Sequence, residues 1–379
     1  MRVAILESII MPAGHEVEFD RILVNEMKRQ GHKPMFFVPE KFPFKVDYGV
    51  PVHELQGGEV VTYAGATWYQ KIWRSLQREK RRVDWFNSAY ELAKQGACDA
   101  ILIPTATYRY IKSLLRSELK NSPVPVHIIF HGINPKEHPK FEKQARRIQT
   151  YKNVHLHVIT LRNDFANSGL SNVQLVAPPV FKPVFDTTGS LKRNEGPLRI
   201  GFFGQFRKEK NLEPFIQAFT HAKFSVPVEL VVQGATAKPE DAALFTSLIE
   251  KYKYIPNIVF RHENLIGKDW EDALLSVDAI VMPYAAERYR YHWGAMLFTA
   301  IGYNKPVLVS PELNPEVLEQ FPVGCVIQSL EETDIICAMQ ELVDLLSTKK
   351  AETKVALEKA NEVYSHEALI RGILEEKLE

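Results

Sequence analysis

Between Asp278 and Ser310 the chain runs DAIVMPYAAERYRYHWGAMLFTAIGYNKPVLVS. An apolar strand over Ala279–Met282 ends in Pro283. A loop rich in Tyr and Arg follows from Tyr284 to Trp293, and Gly294 then opens a helix with Met296, Leu297, Ala300 and Ile301 at helical spacing. A second buried strand, Val307–Val309, comes after Tyr303–Pro306. A strand, a polar loop and a helix opening on glycine suit an anion. The first N–H groups of a helix have no partner within it and carry partial positive charge, and glycine allows close approach. Arg288 and Arg290, just ahead of the helix, would add full charges. A surface loop with solvated arginines fits the same letters.

A second candidate is His131, which with Gly132 directly follows the apolar strand Val126–Phe130. Open α/β sheets place ligand groups at that end of a strand. The imidazole could bond a substrate or move a proton, or it could simply bond a neighbouring backbone group. Near the N-terminus, the strand Val3–Leu6 leads through Pro12–Glu16 into an amphipathic helix, Val17 to Gln30. Phe19, Ile22, Leu23 and Met27 lie on one face of it, and Gly31 stands at the C-cap position. The loop holds one glycine, Gly14, so the dinucleotide-binding fingerprint is missing.

These residues need a scaffold, and 379 residues suffice for two domains with sizeable cores. Strands at Met35–Val38, Ala100–Ile103, Val126–Phe130, Val154–Ile159 and Val173–Val176 alternate with helical segments, among them Thr105–Lys120 and Pro135–Thr150. Residues 39–68 read as irregular, punctuated by Pro39, Pro43, Pro51, Gly57 and Gly58. A polar stretch, 184–197, reads as a linker. A second series then opens, with strands Arg199–Phe203, Val228–Val232 and Ile258–Phe260 ahead of the stretch described first. Helices at Asp334–Leu346 and Lys350–Glu379 close the chain. Two such series predict an α/β protein of two doubly wound, Rossmann-like domains with a cleft between them.

Formal charge is nearly balanced at +1 but unevenly distributed. Residues 1–193 hold 28 Lys/Arg against 18 Asp/Glu, a balance of +10, and the remainder holds 19 against 28, a balance of −9. The first half would attract anions such as acidic lipid, a phosphate-linked acceptor or nucleic acid. Within it, Tyr69–Phe86 is a basic helix whose Ile72, Trp73, Leu76, Val83 and Phe86 recur at roughly helical spacing. Such a stripe can lie on an anionic membrane or face its own core. No apolar run approaches the ~20 residues that span a bilayer, and Glu7 breaks the apolar N-terminus, which argues against a signal peptide. Cys98, Cys325 and Cys337 read as small core residues of a reducing compartment, so the expected location is cytoplasmic, peripheral to a membrane if the helix binds one.

Three stretches resemble the GT-B glycosyltransferases, and among them the retaining, family 4-like enzymes. They are Gly201-Phe202-Phe203-Gly204-Gln205-Phe206-Arg207-Lys208-Glu209-Lys210-Asn211, then Val231-Val232-Gln233-Gly234, then Asp278–Pro283 with Gly294 and Lys305-Pro306-Val307. The resemblance implies a GT-B architecture with an acceptor-side domain over 1–183, the linker 184–197, a nucleotide-sugar domain over 198–355, and a C-terminal helix, 356–379, that can pack back on the first domain. It implies donor binding by Gly204, Arg207, Lys210, Gly234, Arg288, Arg290 and the N–H groups from Gly294 and Ala295 onward. Gly14 and His131 fall where the first domain meets the donor, and His131 would orient the transferred sugar. The resemblance implies a nucleotide-sugar donor and an acceptor as partners; the basic first domain suits a glycan or lipid-linked acceptor of cell-surface polysaccharide synthesis, the basic helix an anionic membrane surface, and no nucleic acid is expected. Neither metal nor other cofactor is expected. The family's paired glutamates align with Tyr291 and Thr299, and its phosphate-binding arginine with Gln205. Loss of both carboxylates also suits a non-catalytic binding protein on the same fold, and another GT-B activity is a third reading.

Overall fold

The computed structural model describes residues 1–10, 15–44, 46–63, 65, 67–162, 169–185 and 196–375, without the side chains of His15 and Glu16. Gly14 and most of the expected linker lie outside the described residues. The chain divides into two compact units: Met1–Pro178 together with His366–Glu379, and Pro179–Ser365.

The first unit runs β1 (Arg2–Leu6), α1 (His15–Arg29), β2 (Lys33–Pro39), β3 (Val52–Leu55), α2 (Trp68–Lys94), β4 (Ala100–Ile103), α3 (Tyr108–Leu114), β5 (Val126–Phe130), α4 (His138–Ile148), β6 (Val154–Ile159) and β7 (Val173–Val176). Its seven strands pair in the order β3-β2-β1-β4-β5-β6-β7, all parallel. Parallel strands covered on both faces should be apolar throughout, and β1, β4 and β5 are buried along nearly their whole length. Phe19, Leu23 and Met27 of α1 are buried, as their spacing predicts, and Gly31 takes the left-handed φ of +78°.

The second unit runs β8 (Leu198–Phe202), α5 (Leu212–His221), β9 (Val228–Gln233), α6 (Pro239–Tyr252), β10 (Ile258–Arg261), α7 (Gly267–Leu275), β11 (Ala279–Met282), α8 (Ala295–Gly302), β12 (Val307–Val309), α9 (Pro315–Gln320), β13 (Gly324–Val326), α10 (Glu332–Thr348) and α11 (Lys350–Val363). Its six strands pair in parallel in the order β10-β9-β8-β11-β12-β13. The last helix, α12 (His366–Leu374), belongs to the first unit, where Glu367 pairs with Arg29 at 2.5 Å.

The α/β architecture of two parallel sheets agrees with the sequence, and four local expectations do not. β3 lies inside the segment read as irregular; of its four residues only Leu55 is buried, so an edge strand left no alternation to detect. The segment Thr105–Lys120 is helical only over α3, with a separate 3₁₀ turn at Glu118–Asn121. The Ser117 hydroxyl donates back to Leu114 O at 2.9 Å and closes the turn between them. The C-terminal helix breaks at Tyr364–Ser365, where Tyr364 O accepts from Val180 N–H at 2.9 Å instead of continuing the helical ladder. Cys98 is buried, but Cys325 is half-buried and Cys337 exposed, so two of the three cysteines are not core residues.

Candidate active site

In a sheet ordered β10-β9-β8-β11-β12-β13 the winding reverses between β8 and β11, and the region beyond the carboxyl ends of those strands is where open α/β sheets bind ligands. Three loops leave there: 203–211 after β8, 234–238 after β9 and 283–294 after β11.

Glycine and one buried glutamine fold the first two loops together. Gly204 sits at φ +99°, a region that L side chains avoid, and a Cβ there would lie 3.6 Å from the Lys210 ammonium. Its N–H donates to Gln233 Oε1 at 2.9 Å, while Gln233 Nε2 donates to Glu263 O at 2.6 Å. Gly204 O and Ala235 O accept from Ala235 N–H and Phe206 N–H at 3.2 and 2.7 Å, which extends the parallel pairing past the strand ends. At Gly234 a Cβ would come within 2.5 Å of the Phe245 ring, so packing, not φ, requires the glycine.

Lys210 closes a 3₁₀ turn over Lys208–Lys210, and Asn211 in the left-handed region leads into α5. The Lys210 ammonium lies 4.7 Å from the Tyr284 ring centroid and 5.5 Å from that of Phe202. Enclosure first, then the nearby Arg207 and Arg288 charges, bring its pKa down from 10.5 to about 7. The Tyr284 hydroxyl and Asn211 Nδ2 are buried with no hydrogen-bond partner among the described residues. Burial also pushes the Tyr284 phenol up.

Around this lysine stand two arginines and one carboxylate. Arg207 donates to Gln205 Oε1 at 3.0 Å and lies 3.8 Å from Glu209. Arg288, on the 3₁₀ turn Glu287–Arg290, is ion-paired with Glu209, packs 4.8 Å over Tyr289 and donates to its hydroxyl at 3.1 Å. The two loops are also tied by backbone, since Ala285 N–H donates to Glu209 O at 2.9 Å. Arg290 ends the same turn, half-buried.

α8 begins at Ala295 with Gly294 as its N-cap. Gly294 N–H donates to Asn314 Oδ1 at 2.8 Å, and a Cβ would lie 2.5 Å from Leu313 Cδ1. Trp293 stacks on Phe181, rings 5.7 Å apart and 6° from parallel, which anchors the loop ahead of α8. The Thr299 hydroxyl donates to Ala295 O at 2.8 Å, within its own helix. Tyr291 is half-buried and Glu287 exposed. Lys305 turns inward and holds Leu275 O and Val277 O at 3.1 and 2.6 Å; there it acts as a structural clamp.

Of the residues singled out in the sequence, Gly204, Arg207, Lys210 and Arg288 stand together, and Gly234 supports them. Sequence reasoning overlooked Gln233, Tyr284 and Glu209. Gln233 and Glu209 stand inside the quoted motifs, but nothing in their type shows that one ties two loops and the other carries two arginines. His131 lies in the first unit. Its Nε2 is 2.9 Å from Pro104 O, and because a carbonyl only accepts, Nε2 carries the proton. Its ring packs edge-on to Phe19 at 4.6 Å, so the backbone bond weighed as one alternative is present and fixes the ring.

Residues 197–344 match the family model for Glycosyl transferases group 1. No curated protein matches the chain. Among solved structures, a glycosyltransferase from Rickettsia africae ESF-5 aligns over 99% of this chain and 97% of its own, at 12% identity and TM-score 0.71. Anabaena HepE in complex with UDP aligns over 98% and 97%, at 14% identity and TM-score 0.64. WaaG, a glycosyltransferase involved in lipopolysaccharide biosynthesis, aligns over 99% and 100%, at 14% identity and TM-score 0.58. At these identities the likeness establishes the fold, which is GT-B.

Proposed function

From a GT-B chain whose residues 197–344 match the group 1 glycosyl transferases, we propose a transferase that moves a sugar from a nucleotide-diphosphate donor to a glycan or lipid-linked acceptor of cell-surface polysaccharide synthesis. The observation that carries this reading is the enclosed Lys210 ammonium with Arg207 and Arg288 beside it at the switch point of the second sheet. As the bond to the sugar breaks, negative charge grows on the leaving phosphate, and preorganised cations with little water around them stabilise that charge best. Lys210 and Arg207 meet the pyrophosphate, the N–H groups from Ala295 onward cap it, and Arg288 and Arg290 border it. No protein base is assigned: in a retaining course the donor phosphate takes the acceptor proton, and His131 orients the sugar. Because the chain supplies the cations, turnover is expected to persist in EDTA.

HepE was solved with UDP and WaaG takes part in lipopolysaccharide biosynthesis, which supports a nucleotide donor and a surface glycan for this protein as well. The basic α2 adds a peripheral contact with anionic membrane. Its Trp68, Ile72 and Trp73 are exposed, and Lys71 and Arg74 stand beside them in the sequence. Liposome flotation at low salt with no dependence on anionic lipid would remove this part of the reading.

A thermal-shift screen against UDP-, GDP-, CDP- and dTDP-sugars tests the donor site. Stabilisation by one nucleotide class, lost in Lys210→Ala, is the expected result. The second reading, binding without turnover, draws on Thr299 and Tyr291 standing where carboxylates are expected. Sugar released from a bound donor excludes it.

A further inference from the structure

Three cations stand close together in the loops after β8 and β11, and one carboxylate lies among them. Glu209 pairs with Arg288 on one side and stands 3.8 Å from Arg207 on the other. All three side chains keep about two-fifths of their surface: 39% for Glu209, 40% for Arg288 and 43% for Arg207. Lys210 is half-buried, and its ammonium lies beside the Tyr284 and Phe202 rings. The position of Glu209 does not depend on its side chain. Its backbone belongs to a 3₁₀ turn, and its carbonyl accepts from Ala285 N–H whatever the carboxylate does.

We infer that Glu209 is a displaceable internal counter-ion, a carboxylate that pairs with Arg288 and leaves when a diphosphate arrives. Three features support it. First, an anion at Lys210 comes within reach of Arg207 and Arg288, whose charges already act on that lysine. A carboxylate left between the arginines would repel it at short range. Second, an ion pair this exposed is held weakly, so exchanging it for a doubly charged ligand has a small barrier. Third, the Arg288 Nε is buried without a hydrogen-bond partner among the described residues, so the guanidinium is incompletely satisfied by Glu209 and Tyr289 alone. Glu209 thus acts as a specificity residue: monoanions that cannot outcompete a carboxylate are refused, and a diphosphate is admitted. The inference rests on the donor-site reading above.

The test is calorimetric titration of UDP and of inorganic pyrophosphate into the full chain, the Glu209→Gln and Arg288→Gln variants and the double variant. The expected result is roughly fivefold tighter binding of both probes by Glu209→Gln, the ratio that follows from an exposed ion pair near the upper end of measured strengths. Arg288→Gln should weaken binding, and the gain from Glu209→Gln should shrink in the double variant. Equal or weaker binding by Glu209→Gln overturns the inference, because a residue that only positions Arg288 loses affinity when neutralised. Glu209→Ala serves as the second probe should the glutamine variant lower the unfolding temperature of the empty protein. If the wild-type chain binds neither UDP nor pyrophosphate, the donor-site reading itself falls. If it binds them through Lys210 and Glu209→Gln gains nothing, only the counter-ion is lost.

Discussion

Two regions combine basic and aromatic residues, and the chain treats them in opposite ways. In the loops after β8 and β11, the Lys210 ammonium packs beside the Phe202 and Tyr284 rings and Arg288 packs over Tyr289, with Arg207 close by. In the first turns of α2, Lys71 and Arg74 alternate with Trp68, Ile72 and Trp73, whose exposures of 75%, 56% and 70% leave the apolar face bare. The same ingredients do different chemistry when a cation is sheltered from water and when it is fully exposed. Enclosure strips a cation of hydration, lowers its pKa and makes a compact anion a strong partner. An open helix keeps its water and offers area and charge to a surface, with affinity that falls as salt rises. α2 itself contains both regimes: past its middle, Arg82, Trp85 and Phe86 are buried against the first sheet, where Arg82 lies 4.1 Å over Tyr110 and 3.0 Å from Glu79.

Removing the enclosed cation should have the largest effect. Lys210→Ala is expected to lower kcat/KM for the sugar donor by about 10²- to 10³-fold, as removal of one preorganised charge-stabilising group does elsewhere. Steady-state kinetics with the donor found in the thermal-shift screen will measure it. A change below tenfold would break the contrast, since the lysine would then behave like a solvated one.

Next in size is the pH dependence that enclosure imposes. In the folded protein without ligand, burial and the neighbouring arginines bring Lys210 down to about 7, against 10.5 when exposed. A bound diphosphate favours the protonated form, so binding should take up a proton above pH 7, and affinity should fall by up to tenfold per pH unit from there until the bound-state pKa is reached. The folding linkage runs in the opposite direction with pH. Between pH 7 and 10.5 the unfolded chain holds a proton that the folded chain lacks, so this group makes the empty protein more stable as pH rises through that window. Titrations in buffers of different ionisation enthalpy measure the uptake. Lys210→Met should abolish it.

On the open side, Trp73→Ser is expected to reduce binding to vesicles containing anionic lipid by roughly tenfold, the scale of burying one large apolar side chain in part. Donor affinity should stay unchanged. Sedimentation with vesicles at two salt concentrations measures it, and loss of donor binding in the same variant would contradict the separation of the two regions.

How much of this the sequence revealed differs between the regions for a physical reason. Strand and helix order followed from apolar periodicity, because buried parallel strands such as β4 and β11 are apolar from end to end. Gly204 and Gly294 stood out because their lack of a side chain is itself the signal. The fate of the stripe in α2 was not legible: Trp73 and Phe86 both belong to the same apolar stripe, and only the packed sheet decides which one is covered. Glu209 was hidden for a similar reason. A glutamate between two lysines looks solvated, and its Arg288 partner lies 79 positions further along the chain, a pairing that only the reversal between β8 and β11 creates.

The smallest effect is expected at Thr299, and it marks the edge of the enclosed region. This residue stands where the resemblance places a donor-binding carboxylate, yet its hydroxyl donates to Ala295 O at 2.8 Å. A threonine bonded in this way serves its own helix, and valine keeps its shape while removing only that bond. Thr299→Val should therefore change donor affinity by less than about twofold, and stability by no more than ~1 kcal/mol, the usual net contribution of one hydrogen bond. Calorimetry and chemical unfolding of the pair measure both. A tenfold loss of donor affinity at unchanged stability would mean that the hydroxyl turns from Ala295 to the ligand, and the enclosed site would then extend a full turn into α8.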